Sequence, residues 1–315
     1  MAQRQAELRF DGVLFFPITA FAADGSVDAG LTAEHVASRM DFAPGGVFPA
    51  CGTGEFHALG AAEVGEVVAA TVREVAGRVP VVAGAGGPLG HAIECARRAA
   101  DAGADALLVL PPYLVGSTTA GALAYIEAVL AASDLPVIVY HRGSARLNED
   151  AATRLANNPR VLGFKDGVGD LGVAQQLVRA VAATGRENFA FFNGLPTAEL
   201  TQQAYRAIGI PLYSSAAFAM APPVAKAFYE AYESGDDARR LEILDAFYLP
   251  LVRLRDEVPG FAVSLVKAGV RLGFGGAEGL SVGGVRPPLV DLDERQLAEL
   301  RRILAIGDEL VGASR

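Results

Sequence analysis

Short apolar runs alternate with helix-patterned stretches eight times along this chain, and very few folds can hold that order. The runs are GVLFFPITAF at 12–21, which a proline stops at Pro17, GGVFPACGTGEF at 45–56, VPVVAGAGG at 79–87, ADALLVLPPY at 104–113, LPVIVYH at 135–141, VLGFKDG at 161–167, NFAFFNG at 188–194 and GIPLYSSA at 209–216. Helical spacing fills 31–42, 61–79, 91–103, 120–133, 148–158, 171–184, 197–207 and 224–234. In the second of these, Val64, Val67, Val68, Val72 and Val75 share one side, as in a helix that buries a single stripe. The strand runs are apolar along most of their length, which is how strands covered on both faces read. Strand–helix alternation with a right-handed crossover at each step gives a parallel sheet. Eight such units close into an α/β TIM (β/α)8 barrel, here spanning 10–234. An open doubly wound sheet competes, but it needs a switch point and commonly a phosphate loop after its first strand, and FPITAF is not one.

After Ser234 the pattern turns to helices only, at 236–255, 261–272 and 292–311, with a glycine-rich linker at 273–288. The segment 235–315 therefore reads as a C-terminal helical extension packed on the barrel. The net charge of −9 and the lack of any basic run argue against a nucleic-acid partner. An anionic small molecule stays open, because a few local arginines can override a mildly negative total. No uninterrupted apolar segment approaches the ~20 residues of a bilayer span, so no membrane partner is expected. Cys51 and Cys95 make neither a disulfide framework nor a metal spacing, and MAQRQAELRFDG has no apolar signal core. A cytoplasmic location is expected.

In such a barrel, chemistry sits where strands run into the following loops. The residues there include Gly52, Thr53 and Gly54; Tyr113; Tyr140 and Arg142; Lys165; Asn193 and Gly194; and Ser214 and Ser215. One amine, two phenols, several hydroxyls and an arginine converge on one face. No cluster of His, Asp and Glu has ligand spacing, so no metal is expected. An arbitrary strand-end lysine reaches for water. Lys165, however, closes an apolar run with a phenol ending the neighbouring one. Taking an ammonium out of water favours the neutral amine, which attacks ketones to give a Schiff base. The protonated imine draws electrons and acidifies the carbon beside it, so no separate cofactor is required. Tyr140 can shuttle the proton, or simply pack as a rim aromatic. GTGE at 52–55 offers backbone N–H groups and the Thr53 hydroxyl to a carboxylate, or simply makes a tight turn. Glu55 reads as a helix cap or a buttress of that loop, Cys51 as a small core residue, and His35, His57 and His91 as surface or packing residues.

CGTGEF, the Tyr140 strand and GFKDGVGD, in this order and at these separations, resemble the dihydrodipicolinate synthase / N-acetylneuraminate lyase family over nearly the whole chain. FNGLPTAE and YSSA add a likeness to its dehydratase branch. The resemblance implies a Schiff-base barrel, usually a homotetramer built as a dimer of dimers, acting on a small keto sugar acid. It implies Lys165 as the Schiff-base residue, Tyr140 as the proton-transfer phenol, and Thr53 as the second hydroxyl residue of a GTTGE-type loop. Gly52 stands where synthases and lyases carry the first Thr or Ser of that loop, which favours dehydration, with loss of carbon dioxide, over aldol chemistry. Asn193, Gly194, Ser214 and Ser215 would address the substrate's hydroxyls and far carboxylate. Either Arg142 or Arg146 would bind a carboxylate, and Tyr113 would serve its own pocket or a neighbouring subunit's. The alternatives are a 2-keto-3-deoxy-sugar-acid aldolase or lyase, a pyruvate-condensing synthase, and a non-catalytic sugar-acid sensor.

Overall fold

In the computed structural model, which describes residues 8–312, the eight runs become β1 (Leu14–Phe15), β2 (Gly46–Val47), β3 (Val82–Gly87), β4 (Ala106–Pro112), β5 (Val137–His141), β6 (Val161–Asp166), β7 (Ala190–Asn193) and β8 (Leu212–Ser215). All pairings are parallel, in the order β2-β1-β8-β7-β6-β5-β4-β3. The two ends of that row meet through a parallel bridge between Val47 and Val81, and the Val47 N–H donates to the Pro80 carbonyl at 2.9 Å, so the sheet closes into a barrel.

The first two strands are much shorter than the 12–21 and 45–56 runs predict. Pro17 and Pro49 bring no N–H to a ladder, and Ala50 turns the chain into the left-handed region with φ 50°. The helices are α1 (Ala29–Met40), α2 (Ala61–Val75), α3 (Leu89–Asp101), α4 (Thr119–Leu130), α5 (Glu149–Ala156), α6 (Leu171–Ala183), α7 (Gln202–Ala207), α8 (Ala217–Met220) and α9 (Pro222–Ser234). The helix expected over 61–79 stops at Val75 because Ala76 and Gly77 both take left-handed conformations, φ 49° and 74°. Asp28, Thr118, Asn148 and Asp170 cap α1, α4, α5 and α6 by accepting from first-turn N–H groups. Each such cap is worth about 1 kcal/mol against alanine.

The tail holds α10 (Asp237–Ile243), α11 (Leu249–Arg255), α12 (Phe261–Leu272) and α13 (Glu294–Gly312). A single helix over 236–255 is expected from sequence. A π turn at Leu244–Tyr248 interrupts it, just ahead of Pro250, whose missing N–H leaves the Ala246 carbonyl without its helical donor. Tail and barrel share one apolar core: Phe15, Val36, Phe218 and Phe228 from the barrel pack with Phe247, Tyr248, Leu265 and Ile303. α13 comes close enough that a Cβ on Gly307 would stand 2.8 Å from the Phe247 ring.

Parallel register and the two-residue period of strands decide what faces the barrel interior. Tyr140 pairs with Lys165, His141 with Asp166, Asp166 with Asn193, and Phe15 with Ser215. Tyr140, Lys165, Ser214 and Phe16 thus form one alternating set, directed inward. His141, Asp166, Asn193 and Ser215 form the other, directed at the helices.

Candidate active site

Lys165 is the last residue but one of β6, inside the barrel mouth, and is only 6% exposed. Its Nζ lies 4.6 Å from the centre of the Phe16 ring and 4.2 Å from that of Tyr140. Phe16 is itself held by a parallel stack on Phe48, with centroids 4.5 Å apart and planes at 14°. A pair of this kind contributes about 0.5–1.5 kcal/mol beyond its buried area. The chain has three lysines. Lys226 is partly exposed beside Glu230, and Lys267 is paired with Glu55 in the interior. Lys165 is the amine of the barrel mouth.

The Tyr140 phenol donates to the Gly194 carbonyl at 2.7 Å and accepts from Arg142 Nη1 at 2.9 Å. Burial pushes its ionisation up, but the neighbouring Lys165 and Arg142 cations outweigh burial and hold it below the ordinary phenol range. Such a phenol can pass a proton both ways at low cost. The same contact places Arg142, at the exposed rim, on the Tyr140 oxygen.

Glycines make room for this pair. The Gly194 N–H donates to the Asp166 carbonyl at 2.6 Å, and a Cβ on Gly194 would stand 2.7 Å from Lys165 Cγ and 2.9 Å from Cε. The Gly167 N–H donates to the His141 carbonyl at 2.9 Å, and a Cβ there would stand 2.7 Å from Tyr140 Cε2 and 2.9 Å from its hydroxyl. Gly167→Ala should therefore push the phenol off Gly194 and lower turnover about 100-fold in a folded protein, since displacements near 1 Å cost that much. Steady-state rates beside a circular-dichroism melt check this.

Gly52, Thr53 and Gly54 form a turn after β2. Thr19 donates to the Gly54 carbonyl at 2.7 Å, and a Cβ on Gly54 would stand 3.1 Å from the Ala50 nitrogen, so the turn is tightly seated. A Cβ on Gly52 would meet nothing within 4 Å, so packing does not dictate that glycine. Thr53 is half-buried beside it. Cys51 lies beneath as a core residue, its thiol pushed up to about 12 by burial, against the pull of Lys165.

Two of the expected substrate contacts face away from the mouth. Asn193 is wholly buried, and its amide donates to the Ala198 carbonyl, Thr201 Oγ1 and Gln202 Oε1 while its oxygen accepts from the Leu195 N–H. It holds the loop after β7 and has no donor left for a ligand. Ser215 is also wholly buried; it donates to Glu199 Oε1 at 2.5 Å and accepts from the Phe218 N–H. Ser214 does face inward and lies 3.4 Å from the Asn193 carbonyl. Both misplacements follow from strand alternation.

Two further groups support the site from behind. Asp166, buried next to Lys165, accepts from the Tyr205 hydroxyl at 2.5 Å and from the Val168 and Gly169 N–H groups, and its Oδ1 lies 3.4 Å from His141 Nδ1. The acid in GFKDGVGD was its only trace in the sequence. Glu199 is buried under the loop after β7, and burial holds its carboxyl above the usual range despite the Ser215 hydrogen bond. The folded chain thus keeps a proton there that the unfolded chain releases above about 4.5, so this group's contribution to stability falls as pH rises through that window. Glu199→Gln should gain in melting temperature on wild type as pH rises above about 4.5, the side on which the unfolded carboxyl has lost its proton. Melts across that range test it.

Among the described residues, no group of three or more His, Cys, Asp or Glu is gathered as a metal ion would need, and no helix is long and apolar enough to cross a membrane.

Residues 9–306 match the model of the dihydrodipicolinate synthetase family. A relative from Streptomyces avermitilis, named probable 5-dehydro-4-deoxyglucarate dehydratase 1, is 49% identical over 300 residues, covering 95% of this chain and 94% of its own. The crystal structure of dihydrodipicolinate synthase from Oceanobacillus iheyensis superposes with a TM-score of 0.83 at 27% identity, covering 94% of this chain and 96% of that one. YagE, a prophage protein of E. coli K12 in the same family, solved in complex with pyruvate, superposes at 0.82 with 26% identity, covering 95% and 98%. With a family model matched over nearly its whole length and relatives near half identical across both chains, this chain belongs to the dihydrodipicolinate synthetase family.

Proposed function

We propose that this chain converts 5-dehydro-4-deoxy-D-glucarate to 2,5-dioxopentanoate, water and carbon dioxide through an imine on Lys165. The observation that carries the chemistry is the Lys165 amine, buried against two aromatic rings and next to a phenol that two partners hold in place. The substrate comes from the names of relatives up to 50% identical over most of both chains.

Lys165 Nζ, as the free amine, attacks the substrate ketone; the carbinolamine hydroxyl takes the Tyr140 proton and leaves as water, giving a protonated imine beside a Tyr140 phenolate. The methylene beside the imine carbon loses a proton to the Tyr140 oxygen, directly or through water, and its electrons pass into the imine. The hydroxyl on the next carbon leaves as water, taking that proton. The conjugated iminium then accepts the electron pair of the bond to the far carboxyl group, which departs as carbon dioxide. Protonation and hydrolysis free the amine and the product; overall, one proton is taken up. The imine carries the electrons, so the scheme uses no metal or redox cofactor. Thr53 and the N–H groups of 52–54 suit the carboxylate beside the ketone, and Arg142 the far one. Ser214 faces the chain between them. The open space at Gly52 supports this reading over carbon–carbon cleavage: a hydroxyl residue would fit there, yet none is present. The same reading takes the protein as a cytoplasmic homotetramer, for which the exposed run Tyr113, Leu114 and Val115 offers an apolar contact surface.

The test is a product assay by mass spectrometry, with no added metal or nucleotide. One equivalent each of carbon dioxide and 2,5-dioxopentanoate is expected. Pyruvate in their place would mean an aldolase.

A further inference from the structure

Glu55, directly after the Gly52–Thr53–Gly54 turn, has a left-handed backbone with φ 57°. A residue other than glycine keeps that shape only where its surroundings hold it. Here the holding groups come from the far end of the chain. Glu55 Oε1 accepts from Lys267 Nζ of α12 at 2.8 Å, and Oε2 accepts from the backbone N–H of Arg286 at 2.8 Å. The Glu55 and Lys267 side chains are both completely buried. Phe21 lies against both tail cations, 3.9 Å from Lys267 Nζ and 4.2 Å from the Arg286 guanidinium. That guanidinium also donates to both Glu63 oxygens, at 2.6 and 2.9 Å, and to the carbonyls of Ala58 and Gly25. Glu63 in turn accepts from the Gly60 N–H at 2.8 Å, at the start of α2. Two tail residues thus fix the stretch from the glycine turn to the first turn of α2 at both its ends.

A buried ion pair is a poor source of stability, since both charges give up hydration, but it sets a geometry that apolar contacts leave looser. We propose that Lys267 and Arg286 are positioning residues: acting through Glu55 and Glu63, the C-terminal extension holds the turn at 52–54 in the shape that receives a ligand carboxylate. The inference rests on the reading of that turn as the carboxylate site. The linker at 273–288 is, on this account, part of the site's support.

Two variants test it. Glu55→Gln with Lys267→Met removes the charges and keeps the shapes, while Arg286→Ala removes a clamp whose side chain is 21% exposed, so folding should survive. Amide exchange in the peptide 51–59 should quicken about tenfold or more in both. The pyruvate concentration for half-maximal borohydride trapping on Lys165 should rise about tenfold, with the amount trapped at saturation unchanged. A merely structural lesion would lower the trapped amount and leave the half-saturating concentration alone. Unchanged exchange in a folded variant, or quickened exchange with unchanged half-saturation, would overturn the proposal. If wild type traps no pyruvate, the titration is run with 5-dehydro-4-deoxy-D-glucarate; no adduct there either sinks the Schiff-base reading on its own, and exchange still decides whether the tail holds the turn.

Discussion

Lys165→Ala should lower turnover by roughly 10⁴- to 10⁶-fold, the loss seen when a covalent nucleophile is removed and only binding and electrostatics remain. Neither of the other two lysines can substitute. Lys226 lies partly exposed on α9, and Lys267 is sealed in its pair with Glu55. Lys165→Met, which keeps the volume between Phe16 and Tyr140, should be as inactive and should melt no lower than wild type. Activity and melting measured on both variants separate lost chemistry from lost fold.

Tyr140→Phe should lower turnover roughly 10²- to 10⁴-fold, the usual worth of a positioned proton-transfer group, and leave apparent substrate affinity nearly unchanged. The ring and its packing remain; only the oxygen between Gly194 and Arg142 is lost. A larger fall in kcat than in affinity is the signature sought. The environment of the phenol can be tested separately. Arg142 is one of two cations that lower its ionisation, so Arg142→Leu should move the Tyr140 titration to higher pH, read by NMR of labelled tyrosine.

The barrel was legible from the alternation of runs, and Lys165 and Tyr140 from their place at the ends of adjacent strands. What could not be read was which side of each strand a residue takes. Strands buried on both faces show no polar alternation, so Asn193 and Ser215 looked equivalent to Gly194 and Ser214. Once the register is known, they fall on the outer side, where they tie loops instead of touching a ligand. Glu55 was legible as a buttress of its loop but not its partners, because Lys267 and Arg286 lie over two hundred positions away and only the packing of the tail brings them in. Phe16 is hidden in a run of apolar neighbours, and Gly167 is one of three glycines in GFKDGVGD, which nothing in the sequence ranks.

Every step of the proposed reaction runs through an imine on Lys165. The most direct test is borohydride reduction during turnover of 5-dehydro-4-deoxy-D-glucarate, followed by peptide mass spectrometry. One reduced adduct per chain is expected, on the peptide containing Lys165, with activity lost in proportion and no adduct on Lys165→Met. Full turnover with no trapped adduct, or an adduct on Lys226 with Lys165 unmodified, would contradict it.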